Sequence, residues 1–218
     1  MITASHKKRW VIFFRIYASW HLRRLFHDVR YHVLDNDIDT AKESPGRAHK
    51  GSILVVSNHF SFWDGFIHML FVHKIFKKNI FIMMLEEQLK KHPFLRYGGC
   101  FSVHRGKRDV AESLRYSCKI LENPANALLI FPQGEVESLY TNDFSFMKGA
   151  GYIMDHSAAC QVWMNVNLIN YYSLKKPVLN IYLKRYHGES GLLQESFNLF
   201  ARECRQTESP KITGEKLL

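Results

Sequence analysis

Residues 52–66 read SILVVSNHFSFWDGF, and the character of the chain changes twice within this stretch. The apolar, β-branched run at 52–56 predicts a short buried strand. Residues 65–76 predict a helix, so a strand leads into a helix through a short loop. That loop contains His59, and the loops at the C-terminal ends of strands carry most sites in α/β sheets. The stretch therefore predicts an α/β fold with a functional site beside His59.

The alternation of strand and helix patterns continues along the chain. Helices are predicted at 109–122, where apolar residues recur at helical spacing, and at 149–157. Further strands are predicted at 80–84, 100–103, 127–131, 162–168 and 178–183. This order predicts one α/β domain, with a mixed, mostly parallel sheet flanked by helices.

The length and composition of the chain fit a single globular domain. It has 218 residues, of which 46% are hydrophobic and 23% are charged, so it can bury a core of ordinary size. Its four cysteines show neither a C-x-x-C spacing nor a dense framework, and we interpret them as reduced thiols in a reducing compartment. No metal site is predicted from these residues or from the histidines.

Positive charge is concentrated at the N-terminal end of the chain. The formal net charge is +10, and residues 1–30 contribute +6 of it through seven Lys or Arg against one Asp. Apolar residues recur there at helical spacing, at Val11, Phe14, Ala18, Leu22 and Leu25. Nucleic acid, an anionic membrane or an acidic substrate could each attract this charge. A basic helix with aromatic residues is typical of a membrane interface, and no familiar nucleic-acid-binding motif occurs.

Residues 1–32 are therefore predicted to form a basic amphipathic helix that contacts an anionic membrane surface. The alternative is an amphipathic helix that packs on the domain. The longest apolar run, at 10–14, is far shorter than the about 20 residues that a spanning helix needs. We expect a peripheral protein on the cytoplasmic side of the cell membrane, with a flexible tail at 205–218.

His59 and Asp64 have the residue types of an acid–base pair. A histidine titrates close to neutral pH, and a carboxylate beside it fixes the tautomer of the ring and stabilises the imidazolium that forms. The spacing of five suits a loop that folds into the first turn of a helix, where Asp is favoured. Alone, a pair at this spacing is more often a surface histidine and a helix-capping aspartate, so further positions are needed.

Three further motifs follow in order: GGCFSVHRG at 98–106, FPQGEVES at 131–138 and FMKGAG at 146–151. Together with the first block they resemble the glycerolipid acyltransferase family, which includes the lysophosphatidic acid acyltransferases. The resemblance runs over about residues 33–186, and the acyltransferase domain is predicted at 33–204. In this resemblance Asn58, His59 and Asp64 match an N-H-x-x-x-x-D block, in which the histidine is the general base and the aspartate its partner.

The second and third blocks imply substrate-binding residues. Gly99, Phe101 and Arg105 match the second block, whose arginine is implied to hold the phosphate of the acceptor. The third block, F-P-E-G, implies further substrate contacts from Phe131, Pro132, Gln133 and Gly134. Lys148, in the last motif, is a candidate for binding a phosphate at a helix N-terminus, and is equally compatible with simple exposure.

The chain departs from the family pattern at two places. Gln133 replaces the family glutamate, and Glu135 and Glu137 follow where the family has Thr-Arg-Ser. The fourth block is normally a strand bearing a proline, and VWMNVNLIN at 162–170 has none. Lipid acyl transfer is therefore predicted as the class of reaction. One alternative to lysophosphatidic acid as the acceptor is a polyhydroxyl or weakly charged molecule.

The resemblance implies transfer of a fatty acyl group from acyl-CoA or an acyl carrier protein to the hydroxyl of a lysophospholipid-like acceptor. These thioesters are co-substrates, and no cofactor is implied. Acylation of a glycolipid, pigment or amino-lipid is an alternative, as is a catalytically idle lipid-binding relative. The idle relative would not need His59 with Asp64, so the presence of both favours an enzyme. A nucleic-acid partner is not expected.

Overall fold

An eight-stranded sheet forms the centre of the computed structural model, which describes residues 1–34, 51–104, 107–157, 160–208 and 211–218. In chain order its strands are β1 Asp28–Val33, β2 Ile53–Ser57, β3 Asn79–Leu85, β4 Cys100–Val103, β5 Asn126–Ile130, β6 Gln161–Asn170, β7 Val178–Tyr186 and β8 Glu215–Lys216. They lie side by side in the order β4-β3-β5-β2-β6-β7-β1-β8.

Five neighbouring strands, β4, β3, β5, β2 and β6, run parallel, so their C-terminal ends share one edge of the sheet. The chain reverses between β6 and β7, which pair antiparallel. Next to β7, β1 is parallel to it, and β8 closes that side antiparallel to β1. The predicted single α/β domain with a mixed, mostly parallel sheet flanked by helices is confirmed.

Helices cover both faces of the sheet because alternate side chains of a strand point to opposite faces. The α-helices are α1 Lys8–Leu25, α2 Asp64–Phe71, α3 Glu86–Lys91, α4 Lys107–Leu121, α5 Gly149–Asp155 and α6 Leu193–Thr207. A π-helical turn, Val72–Phe76, extends α2. Val55 of β2 packs in the core with α1 and α2, whereas Leu54 and Val56 pack in the core with α4, α5 and α6.

The predicted elements recur with small shifts of their ends, but four elements had no prediction. These are β1, α3, α6 and β8. Helix α6 has a clear apolar period, because its buried apolar side chains lie three, four or one positions apart: Leu193, Phe197, Phe200, Ala201 and Cys204. The strand β1 reads DVRYHV and β8 has only two residues, so neither shows a strong strand pattern.

Helix α1 packs on the domain, as in the alternative interpretation of the N-terminal segment. Phe14, Ala18 and Leu22 are buried, and the ring of Phe14 meets that of Phe66 on α2 at 6.2 Å between centroids. A second set of large apolar side chains on α1 is exposed: Ile12, Phe13, Ile16 and Trp20. Among the described residues, none of the helices is both long and apolar enough to span a membrane.

The two ends of the chain differ from the predicted segments. Strand β1 begins at Asp28, inside the segment predicted as a membrane-contact helix at 1–32. At the other end, α6 extends to Thr207, β8 pairs with β1, and Leu217 is buried. The prediction of a flexible tail at 205–218 is therefore wrong for the described residues, because backbone pairing and apolar burial hold them to the sheet.

The four cysteines are free, and burial raises the pKa of three of them. Burial raises the pKa of Cys100 to about 12 and that of Cys160 to about 11. Thiols with such pKa values are poor nucleophiles at neutral pH. Within the described ranges, no three His, Cys, Asp or Glu side chains cluster as ligands for a metal ion.

Candidate active site

The loops after β2 and β5 meet at one edge of the sheet. The two strands are neighbours, and their chains continue to opposite faces: β2 leads into α2, and β5 leads to α5 on the other side. Such a switch point leaves a crevice at the C-terminal ends of the strands, where α/β proteins bind ligands. The His59 loop, residues 58–63, lies there beside residues 131–134, which follow β5.

One carboxylate oxygen organises the His59 loop. Asp64 Oδ2 lies 2.7 Å from His59 Nδ1, and accepts hydrogen bonds from the backbone N–H groups of Phe60 at 2.8 Å and Ser61 at 3.0 Å. Asp64 is the first residue of α2 and is fully buried. The five-residue spacing follows from this geometry, because the loop between His59 and Asp64 wraps around the carboxylate.

The ring and backbone of His59 are held by the loop after β5. The imidazole stacks on the ring of Phe131, at 4.2 Å between centroids and an angle of 16°. His59 N–H donates to Gln133 Oε1 at 2.8 Å, and His59 C=O accepts from the N–H of Glu137 at 2.8 Å. The side chain of His59 is still 22% exposed, so the ring is fixed without being closed off.

This geometry suits a base that accepts a proton through Nε2. An ionised carboxylate only accepts hydrogen bonds, so the contact with Asp64 places the proton of a neutral imidazole on Nδ1. The Nε2 atom then carries the lone pair. Among the described residues no side chain or backbone group hydrogen-bonds to Nε2, which leaves it for a ligand.

Two buried polar atoms beside His59 have no hydrogen-bond partner within the described part of the chain. They are Oδ1 of Asp64 and Nε2 of Gln133, and Gln133 is only 6% exposed. Unpaired buried polar atoms are rare in folded proteins, and they occur where a ligand supplies the missing partner. The Gln133 amide therefore offers one donor close to the catalytic pair.

A buried polar network lies beneath the pair, and the sequence analysis did not predict it. His68 on α2 has Nδ1 2.6 Å from the backbone O of Asp64 and Nε2 2.6 Å from Oδ1 of Asn165. Ser57 Oγ lies 2.9 Å from the same Oδ1, and Asn167 Nδ2 donates to Ser57 Oγ at 3.3 Å. All four side chains are buried. Burial lowers the pKa of His68, an effect that its hydrogen bonds and the Asp64 charge oppose.

The third block lies beside the His59 loop. Phe131 and Gln133 contact His59 directly. Pro132 is buried, and its carbonyl accepts a hydrogen bond from the N–H of Met147 at 2.8 Å. Gly134 has φ = 77°, and a Cβ there would lie 2.5 Å from the side chain of Met147, so a glycine suits this turn.

The first two residues of the second block lie in packing contacts, on a strand three positions away from β2 in the sheet. Gly99 directly precedes β4, whose first residue, Cys100, pairs with Ile82 in the middle of β3. A Cβ at Gly99 would lie 2.2 Å from the carbonyl of Ile80, so close backbone packing explains this glycine. Phe101 is fully buried against Tyr116. Arg105, the third residue of the block, lies outside the described residues.

Two further candidates have contacts that differ from those predicted. Asn58 is buried, and its amide bonds the backbone of Asn167 in both directions: Oδ1 accepts from N–H at 2.8 Å, and Nδ2 donates to C=O at 3.1 Å. It therefore holds the loop to β6. Lys148 is exposed before α5, and its ammonium group makes no hydrogen bond or ion pair within the described part of the chain.

A histidine held by a carboxylate at the switch point of a parallel sheet is an arrangement that can act as a general base. The family model described as Acyltransferase matches residues 34–166, which is more than half of the chain. The chain therefore belongs to the acyltransferase family, and the resemblance predicted from its ordered motifs is confirmed.

The fold is also similar to that of a solved structure, the crystal structure of PlsC, the 1-acyl-sn-glycerophosphate (LPA) acyltransferase from Thermotoga maritima. The TM-score is 0.57 and the sequences are 17% identical. The similarity covers 91% of this chain and 81% of that one, and at this identity it shows a shared fold. A search of curated proteins finds no significant match.

Proposed function

We propose that the chain transfers a fatty acyl group from a thioester, acyl-CoA or acyl carrier protein, to the hydroxyl of a lysophospholipid-like acceptor, with His59 as the general base. The observation that carries this proposal is the 2.7 Å contact between His59 Nδ1 and Asp64 Oδ2 at the switch point of the sheet. Membership of the acyltransferase family supports the type of reaction, and the similar fold of an LPA acyltransferase supports the type of acceptor.

In the proposed reaction, His59 Nε2 takes the proton of the acceptor hydroxyl as its oxygen attacks the thioester carbonyl. A tetrahedral oxyanion forms, the carbon–sulfur bond breaks, and the thiolate takes the proton from His59. The products are an ester and a free thiol, and the histidine returns to its neutral form. Asp64 stabilises the imidazolium between the two proton transfers. No covalent acyl-enzyme is required, and the high pKa values of the buried Cys100 and Cys160 thiols disfavour one.

The residues beside His59 bear on the identity of the acceptor. The unpartnered Nε2 of Gln133 donates hydrogen bonds, so it suits an oxygen of the acceptor, where a glutamate could only accept. The backbone N–H of Glu137 donates to the carbonyl of His59, and Glu135 is exposed two residues earlier in the chain. These two acids disfavour an anionic headgroup. We therefore propose acceptors with a polyhydroxyl or amine-bearing headgroup, such as a glycolipid or amino-lipid, as the second candidate.

A thiol-release assay tests both parts of the proposal, the acyl transfer itself and the class of acceptor. The chain is mixed with acyl-CoA or acyl carrier protein and a panel of acceptors that includes lysophosphatidic acid, an uncharged glycolipid and an amino-lipid. His59→Ala serves as the blank. We expect acceptor-dependent thiol release that the blank lacks. If none of the acceptors on the panel supports thiol release, the proposal is contradicted. Equal thiol release by the blank would also contradict it.

We also propose that the exposed apolar side of α1 holds the protein to an anionic membrane. Its side chains Phe13, Ile16 and Trp20 are 53%, 66% and 55% exposed, and Arg23 and Arg24 are exposed on the same helix. Phe62 of the His59 loop is 52% exposed, so apolar surface continues to the site. Apolar and basic side chains together favour a membrane interface.

Flotation with vesicles that contain anionic phospholipid tests this surface. The triple variant Phe13→Ser, Ile16→Ser, Trp20→Ser keeps the buried stripe of α1 and should lose most of its flotation. Leu199→Ser is the matched control, because Leu199 is 55% exposed on α6, which packs on the other face of the sheet. Equal flotation of the triple variant and the unaltered chain would sink the idea.

A further inference from the structure

Two asparagines of β6 face the underside of the His59 loop. Asn165 and Asn167 are two residues apart, so their side chains lie on the same face of the strand, the face covered by α2. Both are fully buried. They occupy the strand that carries a proline in the family pattern, and proline could make none of their side-chain hydrogen bonds.

Each end of the loop is tied to one of these asparagines. At the start, the amide of Asn58 forms two hydrogen bonds with the backbone of Asn167, directly before His59. At the end, the ring of His68 lies between the backbone O of Asp64 and Oδ1 of Asn165, at 2.6 Å from each. The distance between His59 and Asp64 is therefore set by two contacts with the same strand.

The orientation of Asn165 is itself fixed. Its Nδ2 donates to the backbone O of Tyr182 at 3.0 Å, on the neighbouring strand β7. Its Oδ1 therefore points to His68 and Ser57. The ring of His68 is held in turn by edge contacts with Phe71 and Phe131, and Phe131 is the ring on which His59 stacks. These contacts fix the position of the His68 ring.

We propose that His68 and Asn165 are positioning residues for the His59–Asp64 pair, acting by holding the first turn of α2 at a fixed distance from β6. The inference rests on the proposed function for its effect on turnover. His68 belongs to none of the motif blocks, and it does not contact the exposed side of His59. Misplacing a catalytic group by about 1 Å costs up to about 100-fold in rate, so the effect should fall on kcat.

His68→Phe removes both polar contacts of the ring, with the Asp64 carbonyl and Asn165 Oδ1, and keeps an aromatic ring in an aromatic environment. We expect kcat for thiol release to fall about 10- to 100-fold, with KM for acyl-CoA changed less than about threefold. His68→Asn retains a donor close to the position of Nδ1 and should recover part of the loss. Asn is smaller than Phe and has no aromatic ring. The His68→Asn variant therefore also serves as a test if His68→Phe fails to fold.

The matched control is His156→Phe. Like His68, His156 bonds the backbone carbonyl four residues earlier, here Tyr152 at 2.9 Å, but it is exposed and follows α5. Its replacement should leave kcat within about twofold. If His156→Phe lowers kcat as much as His68→Phe does, the proposal is overturned. The loss would then follow from removing any contact between a histidine ring and a backbone carbonyl.

A readout independent of turnover is the proton on His59 Nδ1. In a chain labelled with ¹⁵N-histidine, the 2.7 Å contact with Asp64 should give a strongly downfield Nδ1 proton resonance, assigned by its absence in His59→Ala. In His68→Phe this resonance should shift upfield or broaden, while His156→Phe leaves it unchanged. An unchanged resonance together with kcat within twofold overturns the proposal. If the unaltered chain transfers no acyl group, the proposed function fails and the resonance still tests the positioning role.

Discussion

Two polar clusters share strand β6 and differ in how completely their atoms are paired. The site cluster, beneath His59, includes Asp64 and Gln133, each of which has a buried atom without a partner in the described chain. The second group, the tyrosine cluster, surrounds the carboxylate of Glu208 and comprises Asn170, Tyr172, Asn180 and Tyr182. There Oε1 accepts hydrogen bonds from Tyr182 and Asn180, and Oε2 accepts from Tyr172 and Asn170.

The difference separates a structural cluster from a functional one. In the tyrosine cluster every donor meets an acceptor of the same carboxylate, so nothing remains for a ligand and the contacts contribute to stability. In the site cluster the contacts that fix His59 are complete, while one donor and one acceptor beside it stay unpaired. Such groups destabilise the folded chain, and in the proposed function they gain a partner when substrate binds.

The sharpest test of the comparison is His59→Ala. We expect acyl transfer to fall about 10²- to 10⁴-fold, the usual effect of losing an acid–base group. Because the side chain is partly exposed, the free energy of unfolding should change by less than about 1 kcal/mol. Thiol release and urea unfolding of the same samples measure the two effects. Near-normal turnover would refute the role of His59.

Asp64→Asn should have the next largest effect. The amide oxygen of asparagine can accept the hydrogen bonds that Oδ2 accepts from His59, Phe60 and Ser61, so the loop keeps its shape and only the charge is lost. We expect turnover to fall by about 10- to 100-fold, less than in His59→Ala, because the base remains in place.

The control for this substitution is Asp143→Asn, which removes a charge from an exposed ion pair with Arg202. It should leave turnover unchanged, since exposed pairs contribute little. A loss in Asp64→Asn as large as that in His59→Ala would mean that the charge of Asp64, and not its orientation of the ring, dominates its role.

Glu208→Ala, in the tyrosine cluster, should have the opposite effect to His59→Ala. It should lower the free energy of unfolding and leave turnover unchanged. The hydroxyls of Tyr172 and Tyr182 and the amide of Asn180 would lose their acceptor, so we expect a loss of about 1–3 kcal/mol in the free energy of unfolding. Turnover per folded molecule should stay the same. Urea unfolding measures the loss.

Glu203→Ala is the matched control on α6, the helix that ends directly before Glu208. Within the described chain the Glu203 carboxylate makes only an exposed ion pair with Lys184. We expect it to change the free energy of unfolding by less than about 1 kcal/mol. If both glutamate variants lose equal stability, the tyrosine cluster has no special role. If Glu208→Ala lowers turnover per folded molecule, the separation of the two clusters fails.

Much of the parallel half of the sheet could be predicted from sequence, because β2, β4 and β5 are mostly buried, apolar runs. Strand β2 and the loop after it show this best, since a run of buried residues ends directly before His59. The antiparallel side of the sheet was harder to predict from sequence. Strand β1 mixes charged and apolar residues and depends on β7 for its position, which is a long-range contact that no local pattern reveals.

The site was predictable only in part, for physical reasons. The spacing of His59 and Asp64 indicated their contact, because a loop before a helix brings residues at that spacing together. Motif order could not distinguish substrate contact from packing, and Gly99 and Phe101 proved to be packing residues. The role of Asn165 depends on which face of β6 α2 covers, and that requires the folded sheet.

The smallest expected effect concerns the alkaline stability of the tyrosine cluster. Burial, followed by the hydrogen bond and charge of Glu208, raises the pKa of Tyr172 to about 12 and also raises the pKa of Tyr182. Between the ordinary tyrosine pKa of about 10 and this higher value, the unfolded chain has lost the phenol proton and the folded chain still holds it. The free energy of unfolding should therefore fall as the pH rises through this window.

Tyr172→Phe isolates this contribution, because buried thiols such as Cys100 shift stability in the same direction in both proteins. The variant should start less stable at neutral pH, having lost the bond to Glu208, and should lose stability less steeply between pH 10 and 12. Tyr140→Phe, at a side chain 91% exposed, is the control and should keep the slope of the unaltered chain. Parallel slopes for all three proteins would show that the Tyr172 phenol is not held protonated by Glu208, and the contrast with the site cluster would then rest on packing alone.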